Sequence, residues 1–509
     1  MNKRPAVHPA AACIALVCFL FFSCASSPAA GDEEATDSST TVPQALTAPG
    51  TPLAVPSKDQ LKKNALDGQT LALLQTGSPQ SIREAVRQIN ADSRGMTDQN
   101  RSALFLAAEL MRSLYPYETI DWPIPAIADG DPYAAIIRSA KMGTYEYSRD
   151  SDDFFALVLP SLILPLTSAQ GSWYQDAQAS LLRASRQNDQ SVLPPLFLAM
   201  LSERQNKTDI ALSFYRKAWD IDDSCYPAGM ALSRLFIAQG DGASALSVAQ
   251  TLSVRYPSQI AITRLCAESA FVLRDWAMAD SYILAVLKAE PGNTGYLLLR
   301  ARILIERKEY LKANSLLDAF ATQSRTDKTY LLLRSRVSRE WNRNPVAATA
   351  FLQDALRLYP EDIDVLLSGA EVAYLTGQTV HQKTGRELVR MVLAREKENR
   401  VALTLLLDDY LASGEWPLAV TLADQLVALD GSTESRLRLA RALLGSGSVP
   451  RAISQTSALY AANPANESVV SLHLRALVAS GNLEGARIVI SERMPSAASS
   501  LKSTLHYYE

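Results

Sequence analysis

Apolar and polar residues alternate along most of this chain with the period of an α-helix, and the helical pattern itself recurs at a spacing close to 34 residues. The recurring position is an alanine, found at Ala177, Ala211, Ala245, Ala279, Ala313, Ala348, Ala419, Ala452 and Ala486. Mostly apolar residues follow it by four and by seven positions, and such positions share one helix face. Each period therefore predicts a helix whose buried stripe begins on a small residue.

The rest of each period predicts a second helix and two turns. Glycine supplies the left-handed conformation that closes a helix, and it precedes the alanine by five positions at Gly240, Gly414, Gly447 and Gly481. The same position is held in other periods by Asn206, Arg274, Lys308 and Arg343. Proline cannot continue a helix, and twelve positions after the alanine stand Pro257, Pro291, Pro360 and Pro464. We therefore expect a helix-turn-helix unit in each period.

Each period thus consists of a helix, a turn, a second helix with an alanine near its start, and a stop. This repeated unit resembles the tetratricopeptide repeat family. The resemblance implies an all-α fold, a right-handed α-solenoid of about nine to ten repeats over residues 151–495. The repeats are degenerate, since Thr456 stands where the family has an aromatic residue. One unit, Asp364 to Glu398, carries about three extra residues between Gly377 and Gly385, with Gly385 in place of the alanine.

The segments that flank the array do not follow its period. Residues 58–150 predict an irregular helical N-terminal cap, with amphipathic helices over Ile82–Ile89 and Ala103–Leu114. The apolar run Phe154–Leu166 is too short for a membrane span and predicts a core helix. Residues 496–509 predict a C-terminal capping helix.

The N-terminus predicts export and a lipid anchor. A basic segment precedes the thirteen apolar residues Ala10–Phe22, so residues 1–23 are interpreted as a signal peptide. Ser23-Cys24 resembles a bacterial lipobox of the relaxed, spirochaete-like kind, and Cys24 would then carry the lipid. The alternative is an ordinary secretory signal cleaved between Ala25 and Ala30. Residues 24–57 have the composition of a flexible linker.

Composition narrows the function classes. The chain is 48% hydrophobic and only 7% aromatic, which favours a helical solenoid, and its net charge of −3 offers no basic excess for nucleic acid. Zinc-protease, nucleophile-elbow and phosphate-loop motifs are absent from the sequence, so we expect no enzyme, no metal and no cofactor. Cys225 and Cys266 could pair in an exported protein, but Cys266 falls at an apolar helix position and we expect buried free thiols.

The resemblance implies that the first helix of each pair lines a concave face, with the position eleven residues before the alanine exposed there. Arginine occupies that position at Arg234, Arg302, Arg441 and Arg475. Arginines in one row could bind the carboxylates of an extended peptide through paired hydrogen bonds. The alternative is a solvated helix face in which the charges pair within the chain.

These patterns together predict a scaffold, lipid-anchored to a bacterial membrane, whose folded part lies in the periplasm or on the envelope surface. Its expected partner is a protein or peptide of the cell envelope, and its only membrane contact is the lipid. An alternative function is an accessory ligand-binding subunit associated with a solute transporter, which would need an apolar cavity.

Overall fold

The computed structural model describes residues 68–93, 95–126, 130–142, 145, 151–162, 173–494 and 499–508. The predicted signal peptide, Cys24 and the linker over residues 24–57 lie outside this range. The described residues form 26 helices and one isolated β-bridge, with no strand among them, so the all-α expectation is confirmed. Over the same residues, every helix is too short or too polar to cross a membrane.

The chain divides into two compact units. The N-terminal unit ends at Ile303 and the C-terminal unit begins at Leu304, which places the division inside a helix, α13. The helices up to that point are α1 Gly68–Thr76, α2 Pro79–Ala91, α3 Asp98–Leu114, α4 Pro132–Lys141, α5 Phe154–Leu162, α6 Trp173–Gln187, α7 Leu193–Arg204, α8 Thr208–Ile221, α9 Tyr226–Gln239, α10 Gly242–Arg255, α11 Ile260–Val272, α12 Trp276–Ala289 and α13 Thr294–Glu306.

The remaining helices belong to the C-terminal unit. They are α14 Tyr310–Ala319, α15 Ala321–Ser324, α16 Lys328–Glu340, α17 Pro345–Leu358, α18 Ile363–Thr376, α19 Gly385–Arg395, α20 Arg400–Ser413, α21 Trp416–Asp430, α22 Thr433–Gly445, α23 Val449–Ala462, α24 Glu467–Ala479, α25 Leu483–Arg493 and α26 Ser499–Tyr508.

From α5 onward the helices alternate between two roles. The first helices are α5, α7, α9, α11, α13, α16, α18, α20, α22 and α24; the second helices carry the periodic alanine or its replacement. Within each unit a first helix packs against its own second helix and also against the next first helix, as α9 does with α11 and α22 with α24. First helices are accordingly the more buried, since α9 buries eight residues and its neighbour α8 only three.

The periodic positions have the local structure that the sequence predicts. All nine alanines are buried, the most exposed being Ala486 at 3%. The turn residue before the alanine has a positive φ at the four predicted glycines and also at Asn206, Arg274, Lys308 and Arg343. Each of the four prolines follows the end of a second helix by two residues, as Pro257 follows α10. Helix-turn-helix pairing is therefore confirmed.

The irregular unit also lies where its spacing predicts. Its first helix, α18, ends at Thr376 and is capped by Gly377, and the extra residues form a short turn closed by a bridge between Val380 and Lys383. Thr384 then caps α19, and its hydroxyl accepts a hydrogen bond from the backbone N–H of Glu387 at 3.2 Å. A Cβ on Gly385 would lie 3.0 Å from the ring of Tyr374, which explains why glycine replaces the alanine there.

The N-terminal helices lie beside the helix pairs of their own unit. The backbone N–H of Val192 donates to the Thr76 carbonyl at 3.0 Å, and the Tyr115 hydroxyl donates to the Gly77 carbonyl at 2.7 Å. Glu118, which follows α3, forms ion pairs with Arg83 at 2.8 Å and with Arg255 at 2.9 Å. This segment therefore contacts the chain as far along as the end of α10, which the sequence did not indicate.

Candidate protein-binding surface

The first helices supply the surface on which the predicted arginines lie. Arg234 belongs to α9 and Arg302 to α13 in the N-terminal unit, whereas Arg441 belongs to α22 and Arg475 to α24 in the C-terminal unit. The structure therefore divides the four arginines between the two units. The contacts of the guanidinium groups differ between the two pairs.

The two arginines of the N-terminal unit are engaged within the chain. Arg234 donates from Nη2 to Glu203 Oε1 at 2.9 Å, and the other Glu203 oxygen accepts from the Tyr215 hydroxyl at 2.7 Å. The Arg302 guanidinium lies 5.1 Å from the centre of the Phe271 ring, a cation–π distance. For these two residues the alternative of a solvated face with internal contacts describes the structure.

The C-terminal unit carries ion pairs between successive first helices. Arg336 contacts Glu306 at 2.6 Å, Arg339 contacts Glu371 at 2.8 Å, and Arg438 contacts Asp408 at 2.9 Å. Partly exposed pairs of this kind contribute at most about 1 kcal/mol each, so they orient side chains more than they stabilise the fold. Of these six residues only Asp408 stands eleven positions before a periodic alanine, so that single repeat position does not reveal the ion pairs.

Arg441 and Arg475 differ from the other two predicted arginines. Both are exposed on neighbouring first helices that pack together, at the same repeat position. Arg441 makes no hydrogen bond or ion pair with any residue that the structure describes, and Arg475 lies near the phenol of Tyr508. We call these two residues the C-terminal arginine face.

The sequence segment that contains the C-terminal arginine face also has an excess of positive charge. Residues 431–508 contain eight Arg and Lys against four Asp and Glu, although the whole chain has a net charge of −3. A local positive excess raises the local concentration of acidic partners and speeds their association. The face is therefore suited to carboxylate recognition in a way that the two paired positions of the N-terminal unit are not.

One first-helix position of the N-terminal unit is a carboxyl with an altered pKa. Glu268 accepts a hydrogen bond from the Tyr296 hydroxyl at 2.7 Å, and burial raises the pKa of Glu268 to about 7. The group is held by neighbours on α13, so it strengthens contact between successive first helices. The sequence placed Glu268 at the repeat position but gave no sign of its burial.

The degenerate position Thr456 is explained by a neighbour on the next helix. Its hydroxyl lies 3.1 Å from His473 Nδ1, and the imidazole stacks on Tyr460 with ring centres 5.1 Å apart. Burial lowers the pKa of His473, which favours the neutral ring in this contact. A polar pair thus replaces the aromatic residue that the family resemblance implies.

The cysteines behave as small apolar residues. Cys225 and Cys266 are both buried and free, as predicted, and burial raises the pKa of their thiols to about 12 and about 11. Such thiols are poor nucleophiles at neutral pH. Across the described part of the chain, His, Cys, Asp and Glu form no group of three that could hold a metal ion.

Comparison with known proteins agrees with the helical-repeat architecture. Residues 404–467, which contain α21, α22, α23 and most of α20, match the sequence model of the tetratricopeptide repeat family. A comparison with curated protein sequences finds no match.

Several solved structures are similar to parts of this chain at low sequence identity. The APC/C hetero-tetramer Cut9-Hcn1 is 14% identical over 78% of this chain and 81% of that one, with a TM-score of 0.42. Yeast Tom70 is 10% identical over 74% of this chain and 91% of its own, with a TM-score of 0.38. The pilF protein of Pseudomonas aeruginosa is 20% identical over 43% of this chain and 97% of its own, with a TM-score of 0.33.

The family match covers a minority of the chain. Outside it, the helix pairs that carry Ala211, Ala245, Ala279, Ala313, Ala348 and Ala486 have the same buried alanine and the same left-handed turn, whereas the pair α18 and α19 has Gly385 instead. The match to the tetratricopeptide repeat family is therefore confined to residues 404–467, within a longer array of helix pairs.

Proposed function

We propose that this protein is an exported scaffold that binds a protein or peptide partner of the cell envelope on the first helices of its C-terminal unit. A lipid on Cys24 holds it at a bacterial membrane, and the linker over residues 24–57 separates the folded part from the lipid. The folded part lies in the periplasm or on the envelope surface.

The observation that carries the binding proposal is the C-terminal arginine face. Guanidinium groups bind carboxylates through two parallel hydrogen bonds, and Arg441 and Arg475 stand one repeat apart on helices that touch. A partner that lies across α22 and α24 with two acidic groups would engage both. Arg234 and Arg302, whose guanidinium groups already have contacts, are excluded from this revised site.

The binding proposal is tested by crosslinking mass spectrometry in intact cells. The full chain should yield a crosslinked envelope protein, and the double variant Arg441→Ala, Arg475→Ala should lose that crosslink. The matched control is Arg436→Ala with Arg487→Ala, which removes two exposed arginines from the same unit, one of them on the second helix α25. Retention of the crosslink by the first variant, or its equal loss in both, would overturn the proposed site.

The anchor is tested separately. Cys24→Ala should move the chain from the membrane pellet to the soluble fraction and should abolish incorporation of a clickable fatty acid. Cys18→Ala, in the predicted signal peptide, is the matched control and should change neither readout. A Cys24→Ala chain that keeps the fatty acid would contradict the assignment.

A further inference from the structure

The C-terminal unit has a second candidate surface, at the turns between its helices. A cavity of about 390 Å³ lies where α16 and α18 end and α17 begins. Its lining includes Arg339, Arg343, Val346, Leu375, Thr376 and Gln378. We call it the turn cavity. A volume in this range accommodates one or two side chains of a partner.

The walls of the turn cavity are aliphatic and unusually exposed. Val346 is 72% exposed and Leu375 is 65% exposed, although the chain buries most residues of this type. The two side chains come from different helix pairs, since Val346 lies in the first turn of α17 and Leu375 in the last turn of α18. An apolar group placed between them would remove both from water, which is favourable in proportion to the area covered.

Arg343 supplies an available positive charge at the rim. It is exposed and makes no hydrogen bond or ion pair with the residues that the structure describes, whereas Arg339 is already paired with Glu371. Arg343 also has a φ of 47°, at the turn position where four other repeats place glycine. A residue with a side chain is less stable than glycine in the left-handed region, so arginine at this position does not stabilise the turn.

The neighbouring repeat carries the same combination. Lys308 has a φ of 61°, and Leu311, three residues later, is 66% exposed; Arg343 and Val346 stand 35 residues further on. A cation in the strained turn position followed by an exposed aliphatic residue thus occurs in two successive repeats. At the equivalent positions, the later repeats have Gly414 with Pro417 and Gly447 with Pro450.

We propose that the turn cavity binds a short acidic and aliphatic segment of a partner protein. One aliphatic side chain enters between Val346 and Leu375, and a carboxylate beside it pairs with Arg343. A recess between two turns favours a single side chain over a flat lipid surface, because only a narrow group can enter it. This site is separate in residues from the C-terminal arginine face, and the two can fail independently.

The proposal is tested by selecting random peptides of about twelve residues against the immobilised full chain, then measuring the selected peptides by fluorescence anisotropy. Peptides that depend on the turn cavity should carry Leu, Ile, Val, Met or Phe next to Asp or Glu. Arg343→Gly and Leu375→Ser should each weaken their binding by about tenfold or more. Replacing the acidic residue of the peptide by its amide should have an effect similar to Arg343→Gly.

The variants separate loss of binding from loss of fold. Arg343→Gly restores the residue favoured at positive φ and should melt at the same temperature as the parent chain or higher. Arg274→Gly makes the same change in an equivalent turn outside the cavity and should leave binding unchanged. Selection of no peptide, peptides without the acidic and aliphatic pair, or unchanged binding to Arg343→Gly would each overturn the proposal.

Two further outcomes would reassign the surface. Loss of the same peptides in the Arg441→Ala, Arg475→Ala double variant would place them on the C-terminal arginine face. Binding of phosphatidylcholine–phosphatidylglycerol vesicles that is lost in Arg343→Gly, without peptide binding, would assign Arg343 to lipid. Either result contradicts a peptide site at the turn cavity.

Discussion

The two units use the same repeat and the same two kinds of polar contact at their first helices, but in different proportions. In the N-terminal unit, tyrosine hydroxyls donate to first-helix carboxylates, as Tyr215 does to Glu203 and Tyr296 does to Glu268. In the C-terminal unit, arginines connect one first helix to the next, as Arg438 does to Asp408. Each unit also contains the other kind of contact, since Arg234 pairs with Glu203 in the N-terminal unit and the Tyr310 hydroxyl donates to Glu340 in the C-terminal unit. The contacts of both units are partly exposed, so the units differ in which contact is more frequent.

This difference bears on where a partner can bind. Arg234 and Arg302 already have partners inside the chain, although Arg234 is itself exposed. In the C-terminal unit, Arg441 and Arg475 are exposed and make no ion pair with the described residues, and the turn cavity lies in the same unit. We therefore expect changes in the N-terminal unit to affect folding and changes on the C-terminal surface to affect binding.

The largest expected effect concerns close backbone packing in the N-terminal unit. A Cβ on Gly242 would lie 2.5 Å from the backbone N of Leu273 and 2.8 Å from the carbonyl O of Ser269, so α10 and α11 would have to move apart. Gly242→Ala should cost about 3 kcal/mol and raise hydrogen exchange in those helices. If the units are independently stable, exchange in the C-terminal unit stays unchanged.

The control for this change is another helical glycine of the same unit. The nearest atom to a Cβ on Gly295 is 3.4 Å away, an ordinary contact, and alanine is the better helix former by about 0.5–1 kcal/mol. Gly295→Ala should therefore slow exchange slightly. Equal acceleration of both units by Gly242→Ala would show that they unfold together.

The second prediction concerns the end of the C-terminal unit. Leu505 of α26 is fully buried against Val470, Leu474 and Ala486. Leu505→Ala should cost about 2–4 kcal/mol and accelerate exchange in α24, α25 and α26. Tyr507→Ala, at a position 82% exposed, is the control and should change exchange little. An effect of Leu505→Ala that spreads into the N-terminal unit would again contradict independent stability.

The repeat itself was predictable because its determinants are local. A buried alanine, a left-handed turn residue and a proline stop each act within a few residues of their own position, so Ala279, Gly240 and Pro257 reveal their roles in the sequence. The positive φ of Arg343 was also predictable, because Arg343 stands five residues before a periodic alanine, where other repeats have glycine. The irregular unit was predictable for the same reason.

The contacts between distant residues were not predictable from one sequence. Glu118 forms a hydrogen bond with Arg255, which lies 137 residues later in the sequence. Nothing in the sequence near either residue predicts this contact. The pairing of Arg234 with Glu203 and of Thr456 with His473 depends on the rotation of neighbouring helices, which the repeat spacing does not specify. The proposed site therefore changed most: of the four arginines in a row, only Arg441 and Arg475 lack an ion pair or cation–π contact with the described residues, and both lie in one unit.

The third prediction tests the long-range contact of the N-terminal unit. The Glu118 side chain is 10% exposed between the guanidinium groups of Arg83 and Arg255. Glu118→Gln removes its charge and should cost about 1–2 kcal/mol, with faster exchange in α2, α3 and α10. Glu84→Gln, in the exposed pair with Arg87, should cost at most about 0.5 kcal/mol. Equal effects would show that Glu118 does not hold the N-terminal helices in place.

The smallest effect is a pH dependence of opposite sign in the two units. The pKa of Glu268 is raised to about 7, so the folded state favours its protonated form; this stability is complete below about pH 4.5 and is lost as the pH rises through 7. The pKa of His473 is lowered, so its contribution is complete above about pH 6.5 and is lost as the pH falls through the lowered value.

Melting of the parent chain, Glu268→Gln and His473→Gln at about pH 5 and about pH 8 separates these contributions. Glu268→Gln should melt higher relative to the parent at the higher pH, and His473→Gln should do so at the lower pH, by about 2–4 °C in each case. Glutamine can keep a hydrogen bond to Tyr296 or Thr456, so the pH trend, not the absolute stability, is the readout. The same trend in both variants would show that burial does not control these groups, and the contrast between the units would then rest on their packing alone.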